Sequence, residues 1–248
     1  MDYKNIENKE LLRDKISDLL TDYQALFDGY IDNEASYKKA ALLYYWLRDY
    51  KDYLNCENNF NPNFLPAFER GSIVNINLGF NVGAEMGGLH YAVVLANSNR
   101  KNPNIVVAPL TSIKPNKDVE NLRPTELAIG EELYSMIQGK YTALKTSIPA
   151  EANILKTALS GNSMTINIEA KLNELNNKIL LLAKTMKKLQ VLKHGSIVVL
   201  NQIRTISKMR IADPIDKYDI LYGLKLSTKN LDAIDKRLAS LYIRNLDK

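Results

Sequence analysis

Apolar residues at intervals of three and four positions indicate that the chain begins with two amphipathic helices. One face of the first helix is formed by Leu12, Ile16, Leu19, Tyr23, Leu26 and Tyr30. The pattern stops near Gly29 and resumes in a second helix, at Tyr37, Ala40, Tyr44, Leu47 and Leu54. Two such helices separated by a short polar turn predict a helical hairpin.

Aromatic residues are concentrated on the second helix, at Tyr44, Tyr45, Trp46, Tyr50 and Tyr53. Because helical stripes usually face a core, a packing face is the favoured interpretation, and a surface that binds a partner or stacks on bases is the alternative. An Asn-rich stretch with Pro62 and Pro66 then predicts an extended linker. The predicted domains are therefore residues 1–66 and 67–248.

Short β-branched runs bounded by Gly, Asn and Pro replace the helical pattern after the linker. Strands are predicted at residues 71–80, 90–97, 104–110 and 122–131, and a further run at residues 195–206. Short strands at this spacing predict a small barrel or sandwich. A last helix is predicted over residues 227–244, with Ser227 or Thr228 as its N-cap.

A long helical insert, at residues 133–193, separates the fourth predicted strand from the last one. Its second half has a regular four-three rhythm of apolar residues, namely Ile168, Leu172, Leu175, Ile179, Leu182, Met186 and Leu189. A seam of this kind is typical of a coiled coil. The pattern is compatible with pairing to the N-terminal hairpin and with pairing to a second copy of the chain.

The composition, 46% hydrophobic and 25% charged, is that of a soluble globular protein with a sizeable core. The net charge of +5 is compatible with an anionic partner such as nucleic acid but does not require one. Cys56 is the only cysteine, which fits a reducing compartment. The N-terminus has no apolar signal region, and the longest apolar runs are too short to span a bilayer. We therefore expect a cytoplasmic protein.

The stretch GAEMGGLHYAVVL, at residues 83–95, places Glu85 and His90 on the two sides of Gly87 and Gly88, where a strand begins. The glycines do not form a P-loop, because no Gly-Lys-Ser/Thr follows and the stretch leads into a strand rather than a helix. The chain has two histidines, far apart in sequence, and no HExxH or paired CxxC motif. We therefore expect no metal and no cofactor.

Thr111, Ser112 and Lys114 lie where a predicted strand ends. Hydroxyls and an ammonium at a strand exit can bind a phosphate, and an ordinary polar turn is the alternative.

The stretch NQIRTISKMRI, at residues 201–211, carries a second polar group. If it is a strand, Gln202 and Arg204 point to the same face, because side chains alternate with a period of two. An arginine beside a glutamine can bind a phosphate or a base. Ser207, Lys208 and Arg210 follow, and a solvated strand face is the alternative.

Together these stretches resemble the PemK/MazF family of bacterial toxins. The resemblance rests on RGSIVNINLGF, GAEMGGLHYAVVL, VVAPLTS and GSIVVLNQIRTI, which occur in the family's order within residues 70–127 and 194–211. It implies an α+β fold built on a small SH3-like barrel, a homodimer, cleavage of single-stranded RNA without a metal, and a cognate antitoxin. The N-terminal hairpin and the insert lie outside the resemblance.

The resemblance also implies site residues. The family has a catalytic arginine where this chain has His90, and histidine can act as the base or the acid when RNA is cut through its own 2′-hydroxyl. Thr111 matches the family's catalytic threonine, and the run Thr-Ser-x-Lys is similar to that of ToxN-type endoribonucleases. The expected catalytic residues are His90, Thr111, Ser112 and Lys114, with Lys114 replacing the arginine's charge. The expected RNA-binding residues are Glu85, Gly87, Gly88, Gln202, Arg204 and Ser207.

The expected function is therefore that of an endoribonuclease toxin that leaves a cyclic or 3′-phosphate and a 5′-hydroxyl. Its antitoxin is expected to be a protein rather than an RNA. The alternatives are a toxin of the same fold that poisons DNA gyrase, and a module that binds RNA or protein after losing catalysis at position 90. The added helices could widen a dimer interface, dock an antitoxin or cover the RNA groove.

Overall fold

A computed structural model describes residue 2, residues 4–160 and residues 167–243. The chain forms two compact units, Met1–Asn58 and Asn59–Lys248. This division lies eight residues before the domain boundary that the sequence predicts at residues 66 and 67. The difference arises because Leu65 is buried in the core of the second unit and Phe60 packs against the same core.

The first unit is the predicted helical hairpin. Helix α1 spans Lys9–Ile31 and helix α2 spans Glu34–Cys56. The Asn33 side chain accepts a hydrogen bond from the Ala35 N–H and so caps the start of α2. Trp46 stacks on Tyr50 with 5.5 Å between ring centroids. Tyr44 and Tyr45 contact each other edge to face, with 5.4 Å between ring centroids, and both are more than half exposed.

The second unit is built on an antiparallel sheet of seven short strands. They are β1 (Ile73–Asn77), β2 (Leu89–Val94), β3 (Asn104–Ser112), β4 (Glu126–Gly130), β5 (Ser196–Val199), β6 (Arg204–Ser207) and β7 (Ile211–Asp213). The order is β4-β5-β3-β2-β1-β7, and β6 pairs with β3 beside this path. Both faces of the sheet are covered by apolar clusters. The predicted α+β class and barrel-type sheet with helical additions are confirmed.

Two details of the sheet differ from the prediction. The run at residues 195–206 is two strands rather than one, because a turn of 3-10 helix at Leu200–Gln202 separates β5 from β6. Gln202 therefore lies in this turn and not on a strand with Arg204. Strand β7 was not predicted, since its three residues are too few for a periodic pattern.

The insert forms two helices, α3 (Glu132–Ser160) and α4 (Ile168–Val191), which pack against each other. Lys178 on α4 donates hydrogen bonds of 2.8 Å to both carboxylate oxygens of Glu151 on α3. Helix α5 spans Thr228–Tyr242 with Ser227 as N-cap, and the predicted end at residue 244 lies outside the described residues.

The seam predicted on α4 is only partly buried. The buried residues of the helix are Leu175, Leu181 and Thr185, whereas Leu172, Ile179 and Met186 of the predicted seam are exposed. The neighbour of α4 is α3, which was neither of the two predicted partners.

The position of Leu65 predicts how the chain responds to truncation. A fragment that begins at Asn59 should keep the stability of the second unit, because it retains Phe60 and Leu65. A fragment that begins at residue 67 should lose about 2 kcal/mol of unfolding free energy, the usual contribution of one buried leucine. Urea denaturation of the two fragments measures the difference. Equal midpoints would show that residues 59–66 do not belong to this core.

Candidate active site

A cavity of about 230 Å³ lies where β2 begins and β3 ends. It is lined by three of the predicted catalytic residues, His90, Thr111 and Ser112. The sheet brings them together, since β2 and β3 are antiparallel neighbours with Ala92 opposite Pro109. If this register continues by two residues, His90 lies across from Thr111. Residues that are about 20 positions apart in sequence thus meet at one edge of the sheet.

His90 makes a hydrogen bond that determines the form of its ring. Its Nδ1 lies 3.1 Å from the carbonyl oxygen of Leu110. A carbonyl oxygen can only accept, so this contact requires the proton on Nδ1. In the neutral imidazole, Nε2 is then the unprotonated nitrogen, which is the form that a general base needs.

Hydroxyl groups surround the end of β3. Thr111 pairs with Ile197, and Ser112 pairs with Ser196 on β5. Ser196 is buried and also lines the cavity. No local pattern in the sequence indicates Ser196, because its proximity depends on the pairing of β3 with β5, which is distant in sequence. Besides the phenol of Tyr91, the described lining of the cavity therefore has three aliphatic hydroxyl groups, and the sequence predicts two of them.

The helical insert contributes the remaining wall of the cavity. Leu133 comes from the first turn of α3, and Leu192 and Lys193 follow the end of α4. Tyr91 lines the other side. Burial raises the pKa of its phenol, although Lys188 nearby opposes this effect. The insert is thus part of the site and not an appendage to it.

Lys114 does not line this cavity. It is exposed, and its carbonyl oxygen accepts a hydrogen bond of 2.9 Å from the Lys117 N–H in the turn after β3. Among the described residues that line the cavity, Lys193 has a permanently positive side chain, and none has a carboxylate side chain. Such a lining suits an anionic group.

The loop between β1 and β2 contacts the predicted RNA-binding residues near β6. The Met86 N–H donates to Gln202 Oε1 at 3.2 Å, and Arg204 Nη2 donates to the same oxygen at 3.2 Å. Glu85 is exposed beside this contact. The structure thus brings Gln202, Arg204 and the loop together. The contact to the loop is made through the backbone of Met86, and Gln202 and Arg204 do not share a strand face.

The two glycines of the loop have backbone functions. Gly88 has a φ of +78°, a backbone conformation that residues with a Cβ rarely adopt. A Cβ at Gly87 would lie 2.7 Å from the carbonyl oxygen of Gly79 across the hairpin. The Gly88 N–H donates to that oxygen at 2.7 Å. These contacts hold the hairpin that leads to His90.

Replacing Gly87 by alanine should therefore destabilise the protein by about 1–3 kcal/mol, the usual cost of forcing extra atoms into a close contact. The matched control is Gly139→Ala on α3, where a Cβ would have no atom within 4 Å. The control should be neutral or more stable by about 0.5–1 kcal/mol, because alanine favours helix. Thermal unfolding of both variants checks this, and equal midpoints would mean that the hairpin adjusts freely.

Ser207 and its neighbours lie apart from the cavity. Ser207 pairs with Asn104, at the opposite end of β3 from Ser112. Lys208 is 1% exposed, and its Nζ donates to the Asn99 carbonyl oxygen at 2.6 Å. Burial lowers the pKa of this amine. Arg210 Nε donates to the Asn77 carbonyl oxygen at 2.7 Å. Lys208 and Arg210 thus support the fold.

A larger groove of about 950 Å³ runs along α3, lined mainly by small residues together with Tyr134 and His194. The rings of Tyr134 and His194 stack with 4.0 Å between centroids, and His194 Nδ1 lies 3.7 Å from a Glu131 carboxylate oxygen. The groove includes none of the predicted site residues. His194 therefore serves as a control for His90.

In the described part of the chain, no three His, Cys, Asp or Glu side chains form a group that could hold a metal ion. Within the same residues, none of the helices has the length and apolar character needed to cross a membrane.

Comparison with known families finds a match within the second unit. Residues 69–144 match the family model described as PemK-like, MazF-like toxin of type II toxin-antitoxin system. The match covers β1 to β4 and the first part of α3, and it confirms the resemblance seen in the sequence. The stretch at residues 194–211 lies beyond it, although β5 and β6 join the same sheet. No curated protein matches the chain.

Proposed function

We propose, from the PemK/MazF-like toxin region at residues 69–144, that this protein is a toxin that cuts single-stranded RNA without a metal ion. The family match supports the toxin role. The observation that carries the nuclease activity is the meeting of His90, Thr111 and Ser112 in a cavity whose described lining has no carboxylate. The proposed site of action is the cytoplasm, where the substrate RNA is found.

In the proposed reaction, His90 Nε2 accepts the proton of the 2′-hydroxyl of the RNA. The 2′-oxygen then attacks the adjacent phosphorus, and the bond from phosphorus to the 5′-oxygen breaks. The leaving 5′-oxygen takes a proton from water. Thr111, Ser112 and Ser196 donate hydrogen bonds to the phosphate, and these donors stabilise the charge that develops in the transition state. The products are a 2′,3′-cyclic phosphate and a 5′-hydroxyl.

Gln202 and Arg204 are proposed to bind the RNA chain beyond the cut, together with the loop from Glu85 to Gly88. Single-stranded RNA is bound through its bases and its backbone along a groove, so contacts outside the cavity are required. Arg204 is suited to a phosphate because its guanidinium offers several donors in one plane. A protein antitoxin is the partner that the type II toxin-antitoxin family suggests. A homodimer is proposed from the resemblance in the sequence.

Expression in a bacterial host tests this function against poisoning of DNA gyrase. Induction of the wild-type chain should stop growth and produce broken cellular RNA, whereas Thr111→Val should do neither at an equal protein level. Growth arrest with intact RNA and with gyrase trapped on DNA would instead identify a gyrase poison. RNA that is bound but never cut would identify a binding module.

A further inference from the structure

The connection between α4 and β5 is held in place at the rim of the cavity. The Leu192 N–H donates to the Lys188 carbonyl oxygen at 3.0 Å, and the Ile113 N–H donates to the Gly195 carbonyl oxygen at 2.9 Å. A Cβ at Gly195 would lie 2.5 Å from the Ile113 side chain, so the close approach requires glycine or a movement of that side chain. Lys193 therefore lies between Leu192 and Gly195, whose backbone groups are both hydrogen-bonded.

The last turns of α4 are also attached to the barrel. Lys188 Nζ lies 4.9 Å from the centroid of the Tyr91 ring on β2. Leu189 and Leu192 pack against the core that contains Leu110 and Leu133. The strand that carries His90 thus anchors the end of α4, which Lys193 follows, at the cavity.

Lys193 provides a positive charge that no described carboxylate pairs with. The Glu131 carboxylate, close by in the fold, contacts His194 and not Lys193. Of the other cations proposed for the site, neither Lys114 nor Arg204 lines the cavity. An ammonium together with the hydroxyl groups of Thr111, Ser112 and Ser196 is a suitable lining for a phosphodiester.

We infer that Lys193 binds the scissile phosphate and takes the role that the sequence assigned to Lys114. The inference rests on the proposed function. In the transition state the non-bridging oxygens gain negative charge, and the ammonium stabilises that charge. The insert thereby supplies an active-site residue from outside the part of the chain that matches the toxin family.

The test is single-turnover cleavage of a long mixed-sequence RNA in EDTA, with the enzyme in excess and at saturation. Four full-length proteins are compared: wild type, Lys193→Ala, Lys193→Arg and Lys114→Ala. Lys193→Ala should cut about 100-fold more slowly, as expected when one preorganised donor to the transition state is removed. Lys193→Arg should recover to within about 10-fold of wild type, because the charge returns, and Lys114→Ala should remain within about 3-fold.

A second measurement separates binding from catalysis. A 2′-O-methyl version of the same RNA has no attacking hydroxyl and cannot be cut by this route. Its affinity should fall less than 10-fold in Lys193→Ala, since only one of many phosphate contacts is lost. Cleavage by Lys193→Ala at the wild-type rate would overturn the inference and leave the proposed function intact. If the wild type cuts no RNA, both are overturned.

Discussion

Replacing His90 by alanine should lower the rate of RNA cleavage by about 10²–10⁴-fold, the usual contribution of a general base. The hydrogen bond from Nδ1 to the Leu110 carbonyl oxygen leaves Nε2 to accept the proton of the 2′-hydroxyl. The alanine variant loses this acceptor, whereas Thr111, Ser112 and Lys193 remain to bind the phosphate. Single-turnover rates measured with the RNA bound to excess enzyme test this, because weaker binding then has no effect on the rate.

His194→Ala is the matched control for this experiment. Its ring stacks on Tyr134 and lines the larger groove rather than the cavity. The control should keep cleavage within a few-fold of wild type. Equal loss of activity in both histidine variants would contradict the assignment.

Replacing Lys140 by methionine should destabilise the protein by about 3 kcal/mol, because the carbonyl groups that this lysine serves lose their partner. Its Nζ donates to the carbonyl oxygens of Asp219, Ile220 and Tyr222 at 2.8–3.0 Å. Burial lowers the pKa of the amine, and the charges of Asp213 and Asp219 oppose that effect. These bonds attach α3, and with it Leu133, to the segment that follows β7.

Urea denaturation measures this effect. With a slope of about 3 kcal/mol per molar urea, the midpoint of Lys140→Met should shift down by about 1 M. Lys145→Met, an exposed position on the same helix, should leave the midpoint unchanged. A small shift for Lys140→Met would mean that water replaces the ammonium at these carbonyl groups, and that α3 is not held to the barrel in this way.

The local patterns of the chain predicted most of its elements. The hairpin, the strands around Val93 and Val107, and the insert are found within a few residues of the predicted positions. The alternating pattern predicted the wrong element where a buried apolar residue lies outside a strand. Leu200 continues the alternation of β5, but it starts a 3-10 turn, so Gln202 and Arg204 do not share a strand.

The seam on α4 illustrates a second limit. The apolar residues of this helix extend over more than one face, and the face that becomes buried depends on where α3 lies. A sequence pattern identifies an apolar stripe but not its partner. Leu172 and Ile179 of the predicted seam are exposed in the single chain.

The family resemblance predicted part of the candidate site. His90, Thr111 and Ser112 line one cavity, as the motifs suggested. Lys193 and Ser196 were missed because they reach the cavity only through the pairing of β3 with β5, which no local pattern reveals. The resemblance of the run Thr-Ser-x-Lys to ToxN-type endoribonucleases implies a role for Lys114, but Lys114 lies in the turn after β3 and does not line the cavity.

The chemistry of the RNA ends tests the central claim most directly. Wild-type protein and His90→Ala are each incubated with a long mixed-sequence RNA in EDTA, and the ends of the fragments are mapped. We predict that the wild type alone cuts the RNA and leaves 5′-hydroxyl and cyclic or 3′-phosphate ends. Fragments with 5′-phosphate ends, or equal cutting by His90→Ala, would contradict the proposed mechanism.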